Sequence, residues 1–159
     1  MTTTLAFALR AALPADAAFE HFLYASTRDD LRPLGPEVFD GLVGMQFRAQ
    51  TMSIRLDHPH AERQIVVVEE VSAGRLITDG SGNDIEVIDV ALLPEFRGQG
   101  LGTSVLRGVL ARADRLGRAV RLHVEKQSRA VRLYERLGFS ITGDLGMYFA
   151  MSRSLAGGW

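Results

Sequence analysis

Between residues 85 and 116 three unlike segments follow one another with no room for a linker. Residues 85–93 (IEVIDVALL) are apolar and rich in β-branched side chains, which predicts a buried strand, and Pro94 stops it. Residues 99–116 carry apolar side chains at 101, 105, 106, 109, 110, 113 and 116, the spacing of one helical face, and Gly117 closes the run. The only chain between them is a turn containing Arg97-Gly98-Gln99-Gly100-Leu101-Gly102. Three alternate glycines remove the Cβ atoms that would keep a ligand away from the backbone. The turn also sits where a helix begins, so it points unpaired N–H groups outward at the positive end of the helix dipole. Such a place suits a phosphate or a diphosphate. A further alternating run at 119–124 (AVRLHV) makes a second strand, and strand–helix–strand implies a parallel crossover.

The flanking sequence adds elements of both kinds. Residues 3–10 alternate as a first strand. Pro14 and Asp16 open a helix reaching about residue 25, with Phe19, Phe22 and Leu23 on one side. Pro36 starts a second helix to about residue 50, with Val38, Leu42, Met45 and Phe47 as its apolar face, and residues 51–62 fit no single pattern. Strands are expected at 64–70 and 71–79, with DGSGND (79–84) as a hairpin break. Ser128 caps a helix to residue 137, and strands at 139–142 and 147–152 finish the order β-α-α-β-β-β-α-β-α-β-β. The expected fold class is α/β, a mixed and mostly antiparallel central sheet flanked by helices. Residues 1–153 read as a single domain and 154–159 as a loose tail.

Composition removes several function classes. At 159 residues, 47% hydrophobic and 23% charged, the chain can bury a core and is not a disordered regulator. Its net charge of -1 argues against a nucleic-acid or membrane-surface partner. Without cysteine there is no disulfide, no thiolate metal ligand and no cysteine nucleophile. The opening residues are interrupted by Arg10 and make a poor signal peptide, and no run suits a membrane span, so a cytoplasmic protein is expected.

Two phosphate loops fail against the turn: no lysine is present for a P-loop, and residue 103 is Thr where the dinucleotide fingerprint needs its last glycine. Arg-x-x-Gly-x-Gly after a strand ending in proline instead resembles the GNAT superfamily of acyl-CoA-dependent N-acyltransferases. A second block, Ser128-Arg129-Ala130-Val131-Arg132-Leu133-Tyr134-Glu135-Arg136-Leu137-Gly138-Phe139, is similar to that family's Ala-x-x-Leu-Tyr-x-x-x-Gly-Phe at Ala130, Leu133, Tyr134, Gly138 and Phe139, and Ser128 just ahead of it is read as standing in for the family's usual Asn. The resemblance implies acetyl-CoA as cosubstrate, with no metal. Its diphosphate would lie on Arg97, Gly98, Gln99, Gly100, Leu101, Gly102 and Thr103. Its pantetheine arm would lie along Val90, Ala91 and Leu92, in a gap between two diverging strands, with Ser128 and Tyr134 beside it. The acceptor would be a small-molecule or peptide amine, and family habit suggests a homodimer.

Transfer from a thioester to an amine needs a base for the ammonium, donors for the tetrahedral oxyanion and an acid for the leaving thiolate. The N–H near Leu92 is the oxyanion candidate and Tyr134 the acid, although a plain core aromatic is the competing reading. For the base, Glu86 and Asp89 should alternate to opposite strand faces, so that one of them faces the acceptor. The family position favours Glu86, against a water chain or ordinary salt-bridged carboxylates. Arg28, Arg32, Arg48 and Arg55 flank the helices where the family builds its acceptor pocket and read first as solvated surface, with recognition of an acceptor carboxylate as the alternative; Gln46 and Gln50, one turn apart, are weaker candidates for lining the same pocket. His58-Pro59-His60 with Glu62 lacks the fixed geometry of a metal site, and His21 and His123 are isolated. The alternative function is a non-catalytic acyl-CoA-binding module of the same fold.

Overall fold

A computed structural model describes residues 5–155. The first two residues of the expected first strand and most of the expected tail lie outside the described residues. Among the described residues seven strands form one mixed sheet in the order β1-β2-β3-β4-β5-β7-β6. They are β1 (Ala8–Ala11), β2 (Glu62–Val68), β3 (Val71–Asp79), β4 (Ile85–Leu92), β5 (Val120–Glu125), β6 (Ser140–Asp144) and β7 (Tyr148–Arg153). Only β4 and β5 run parallel; every other neighbouring pair is antiparallel. Four α-helices of the described residues flank the sheet: α1 (Ala17–Ala25), α2 (Pro36–Asp57), α3 (Leu101–Leu116) and α4 (Ala130–Arg136). Among the described residues no helix is long and apolar enough to cross a membrane.

Alternation along the strands divides the core in two. On one face Leu76, Ile85 and Val87 meet the stripe of α3 formed by Leu101, Val105 and Leu106, all nearly inaccessible. On the other, Ile65 and Ile77 lie under α1 and α2, which contribute Leu23, Phe39 and Val43. The parallel β4–β5 pair is made by the crossover through α3, as strand–helix–strand order demands.

Three expectations are corrected. Glu69 and Glu70 are not strand: both have positive φ (49° and 67°) and make the two-residue turn between β2 and β3. Both φ values positive is the geometry that matches strand twist in a tight hairpin, and it is held here without glycine or asparagine. The second helix does not stop near residue 50 but continues to Asp57, because the first helix-stopping residue is Pro59. Its buried face is Phe39 and Val43; Val38 and Met45 are exposed, and so is Phe22 of α1. Apolar side chains occur on several sides of α2, so the sequence pattern has no unique phase.

One glycine fixes how β3 approaches the end of β4. A Cβ on Gly74 would lie 2.2 Å from the Ala91 carbonyl oxygen and 2.7 Å from Leu92 Cδ2, inside the contact distance of either. Gly74→Ala must therefore displace the strand end that leads into the glycine turn. Urea unfolding should show a loss of about 1–3 kcal/mol for this one methyl group, and an unchanged midpoint would refute the close approach.

Candidate active site

β4 and β5 pair over only three residues, Ile85↔Val120, Glu86↔Arg121 and Val87↔Leu122. At the same point β4 bulges: Val87 opposes Thr78 and Asp89 opposes Ile77, leaving Ile88 without a partner on β3. A bulge adds twist and bends its strand, so beyond Val87 β4 leaves β5 behind. Leu93 donates its N–H to Ala73 on the β3 side, at 2.8 Å. Alternation then turns the backbone groups of Val90 and Leu92 the other way, into the gap.

The bulge also moves side chains. Glu86 and Asp89 would occupy opposite faces of a regular strand, but the inserted residue brings both to the face covered by α1 and α2. Their surroundings differ. Asp89 Oδ2 accepts from Arg75 Nε at 2.6 Å, and Arg75 Nη1 lies 3.4 Å from the fully buried Glu20, itself bound by Arg63. Gln50 Oε1 takes another N–H of Arg75 at 2.8 Å. Five residues from α1, β2, β3, β4 and α2 thus close one polar network in which each buried charge meets an opposite charge. Glu86 instead stands in a ring of looser contacts. His58 Nδ1 is 3.6 Å from Oε2, Arg121 Nη2 is 3.8 Å from Oε2, and His123 Nδ1 is 3.9 Å from Oε1. His58 is anchored by Asp79 at 3.0 Å. Hydrogen bonds from Ser81 and His58 hold the Asp79 carboxyl down at about 2.

At the far end of the gap lies a cavity of about 820 Å³. Val90, Ala91 and Leu92 form one wall; Gly98, Gly100, Gly102 and Thr103 form the floor; Ala130, Leu133 and Tyr134 of α4 form the other wall. Gly98 and Gly100 have φ of +72° and +82°, and nothing lies within 4 Å of where their Cβ atoms would be. Among the described residues the amides of Gly100, Leu101, Gly102 and Thr103 donate to no protein acceptor; Ser104 is the first of the helix to do so, to Gly100 O at 3.0 Å. These are the orphan donors of a helix start, left open beside a cavity.

Several candidate residues act at one remove. Leu101 is a core side chain and offers the cavity only its amide, and Gln99 turns away to the Glu95 carbonyl. Ser128 Oγ accepts from Ala130 N at 3.1 Å and caps α4; it does not line the cavity. Arg97 touches the cavity, but its guanidinium is directed at Leu92 O and at Ser26. Arg28 holds Asp30 and Gln46, and Arg32 holds Asp29. The cavity also includes Thr27, Leu106, Arg129 and Arg136, none of which was a candidate site residue in the sequence. The last two were legible only as helical neighbours of Leu133, at i-4 and i+3. Among the described residues no group of three or more His, Cys, Asp or Glu is arranged to hold a metal ion.

The acetyltransferase (GNAT) family model matches residues 36–139, which span the second helix, the glycine turn and α4. The chain belongs to the GNAT acetyltransferase family. No curated protein matches it. Solved structures share the GNAT fold at low identity. One is the PaiA N-acetyltransferase of Thermoplasma acidophilum in complex with coenzyme A, with a TM-score of 0.72 and 15% identity over 94% of this chain and 99% of that one. An acetyltransferase from Thermus thermophilus gives 0.70 and 19% over 96% and 99%. The ribosomal-protein-S18-alanine N-acetyltransferase of Escherichia coli gives 0.67 and 16% over 95% and 96%. In all three the likeness runs nearly end to end, so this GNAT chain carries the whole fold.

Tyr134 gives the site a titration signature. It is 8% exposed, packs edge-on against Phe139 and lies near Asp89, and burial together with that carboxylate pushes its phenol up to about 12. An unfolded tyrosine ionises at ~10. The stabilisation is therefore complete below that value and is lost as pH rises through about 12. Near-ultraviolet absorbance titration of wild type and Tyr134→Phe should assign the last phenol to ionise to Tyr134; coincident curves at the alkaline end would contradict its burial.

Proposed function

We propose that the chain is an N-acetyltransferase that moves an acetyl group from acetyl-CoA directly to a primary amine of a small molecule or peptide. The observation that carries this reading is the set of four open amides at the head of α3, facing a cavity at the end of a split in the sheet. A diphosphate fits there chemically: backbone donors and a helix N-terminus face it, and among the described residues no carboxylate lines the cavity. The extended arm of the coenzyme then follows the gap, where the backbone of Val90 offers it partners as a neighbouring strand would. The coenzyme A complex of the Thermoplasma acidophilum protein supports the same assignment.

In this arrangement the thioester reaches the region between Leu92, Tyr134 and the acidic face of β4. Glu86 is the proposed base, because its carboxylate is ringed at 3.6–3.9 Å yet committed to no close partner. Asp89, bound by Arg75, serves the framework and the field around Tyr134. Glu86 removes a proton from the ammonium, the amine nitrogen bonds to the acetyl carbon, and the carbonyl oxygen becomes an oxyanion held by the Leu92 N–H. The oxyanion re-forms the carbonyl as the C–S bond breaks, the electron pair leaves on sulfur, and the new amide nitrogen releases its second proton to solvent. A free thiol titrates at ~8.5, well below the Tyr134 phenol at about 12. Tyr134 therefore helps the departing sulfur as a hydrogen-bond donor, and the thiolate takes its proton from solvent. Arg97 steadies the turn through Leu92 and Ser26.

Gly102 provides the sharpest test of the turn. It has ordinary helical geometry, and a Cβ there meets Leu92 Cδ1 only at 3.7 Å, so Gly102→Val can fold while its methyls cover the amides. Calorimetry should show acetyl-CoA affinity falling at least about ten-fold with the melting temperature kept, as expected when charge-assisted hydrogen bonds are blocked. Undiminished binding would overturn the phosphate assignment. Tyr134→Phe should lower kcat by about ten- to a hundred-fold with acetyl-CoA affinity nearly unchanged. Thiol release over a panel of polyamines, lysine peptides and peptide N-termini measures it. An unaltered rate would return Tyr134 to packing, and tight coenzyme binding with no turnover on any amine would favour a binding module.

A further inference from the structure

The helix α2 carries a second apolar face that the domain does not use. Val38, Leu42, Met45, Ala49, Met52 and Leu56 follow one another at intervals of 4, 3, 4, 3 and 4 residues. That is heptad spacing, which keeps one seam on one side of a helix and suits packing against another helix. The seam is about 27 Å long at the ordinary helical rise. Leu42 is half-buried and Ala49 exposed, while Val38, Met45, Met52 and Leu56 are 51%, 54%, 55% and 73% exposed. Phe39 and Val43 already bury the inner face of the helix, and Gln50 there holds Arg75. A helix on the surface of a monomer needs one apolar face, and this one has two. Single exposed apolar side chains are ordinary, but a continuous seam in register marks an interaction surface.

We infer that this seam binds the same seam of a second copy of the chain, the two α2 helices running antiparallel about a two-fold axis. The inference does not depend on the acyl-transfer reading. Reversing the helix about a point between Met45 and Ala49 sets Val38 against Leu56 of the partner subunit, Leu42 against the partner's Met52 and Met45 against the partner's Ala49. Every seam position thus meets another seam position, and the long Met45 meets the short Ala49, as an isologous interface requires. Charge selects the direction. Glu37 and Arg55 are 18 residues apart, five helical turns, so they lie on one flank beside the two ends of the seam. Both are exposed, and among the described residues neither has an ion pair. Antiparallel pairing lays each acid beside the other copy's base, twice by symmetry, whereas parallel pairing joins like to like. Arg48, the cation nearest the axis, is folded back over Gly44, its Nη1 3.2 Å from where a Cβ there would stand, so the middle of the seam is left to apolar contact. Glu37, Asp40 and Asp57 outnumber Arg48 and Arg55 along the helix, which is not the basic face that an anionic lipid surface selects.

Sedimentation equilibrium of the full chain tests the pairing. Wild type should be a dimer at micromolar concentration. Met45→Glu with Met52→Glu alters only side chains exposed in the monomer, so the circular dichroism of the fold should persist while the dissociation constant rises at least about ten-fold from like charges brought together. Glu37→Arg should weaken the dimer, and adding Arg55→Glu to the same chain should restore it. Because the chain has no cysteine, introduced thiols report the register without touching its charge. Chains with Val38→Cys mixed with chains with Leu56→Cys should oxidise to a mixed disulfide. Chains with Val38→Cys alone should not cross-link, their thiols lying about 27 Å apart along the seam. A wild type that stays monomeric would overturn the proposal and leave the seam to another chain. A dimer undisturbed by the two glutamates would place the interface elsewhere, and a disulfide between two Val38→Cys copies would make the helices parallel; either result overturns it too.

Discussion

The site exists because two strands stop pairing. β4 and β5 share three residue pairs, and the single unpaired residue Ile88 then bends β4 off its neighbour. Backbone groups that a continuous sheet would have consumed are left facing a gap. The same inserted residue turns Glu86 and Asp89 onto one side of the sheet, so the feature that opens the cleft also gathers the acids beside it. A few residues on, the chain enters α3 through glycines whose positive φ values no other residue would adopt cheaply. The split and the glycine turn are one device, with the arm of a ligand running into its phosphates.

The parts of this device were unequally visible in the sequence. The turn announced itself, since glycines at 98, 100 and 102 between a proline-ended strand and a strongly periodic helix leave few alternatives. The mixed sheet and its parallel crossover followed from element order. The bulge had no local signature: IEVIDVALL reads as one even strand, and only pairing with β3 shows which residue is extra. Hence the expected faces of the two acids were wrong by one position, the smallest error that reverses a side chain. The face of α2 was also misread. Val38 and Met45 have the spacing of a core stripe but stay outside, while Phe39 and Val43 go in. A helix with apolar residues on several sides gets its rotation from its partners.

Long-range charge pairing was hidden for a different reason. Glu20 and Arg75 are 55 positions apart and among the most buried side chains of the protein. Nothing near either residue reveals the other. Burying the pair removes both from water, a cost offset only because Arg63, Asp89 and Gln50 complete the network. The network ties α1 and α2 to the strands on which Asp89 is carried, so the acidic side of the gap has a fixed backing. Arg129 and Arg136 contrast with it: both stand exposed at the cavity, and among the described residues neither has an acidic partner.

Arg97 has a mechanical consequence. Its guanidinium bridges the last carbonyl of β4 and the residue that terminates α1, so strand, turn and helix end are fastened at one point. A strut of this kind makes the glycine segment stiff despite its composition. The turn cannot tilt without parting three hydrogen bonds, and its donors keep their aim before anything arrives to occupy them.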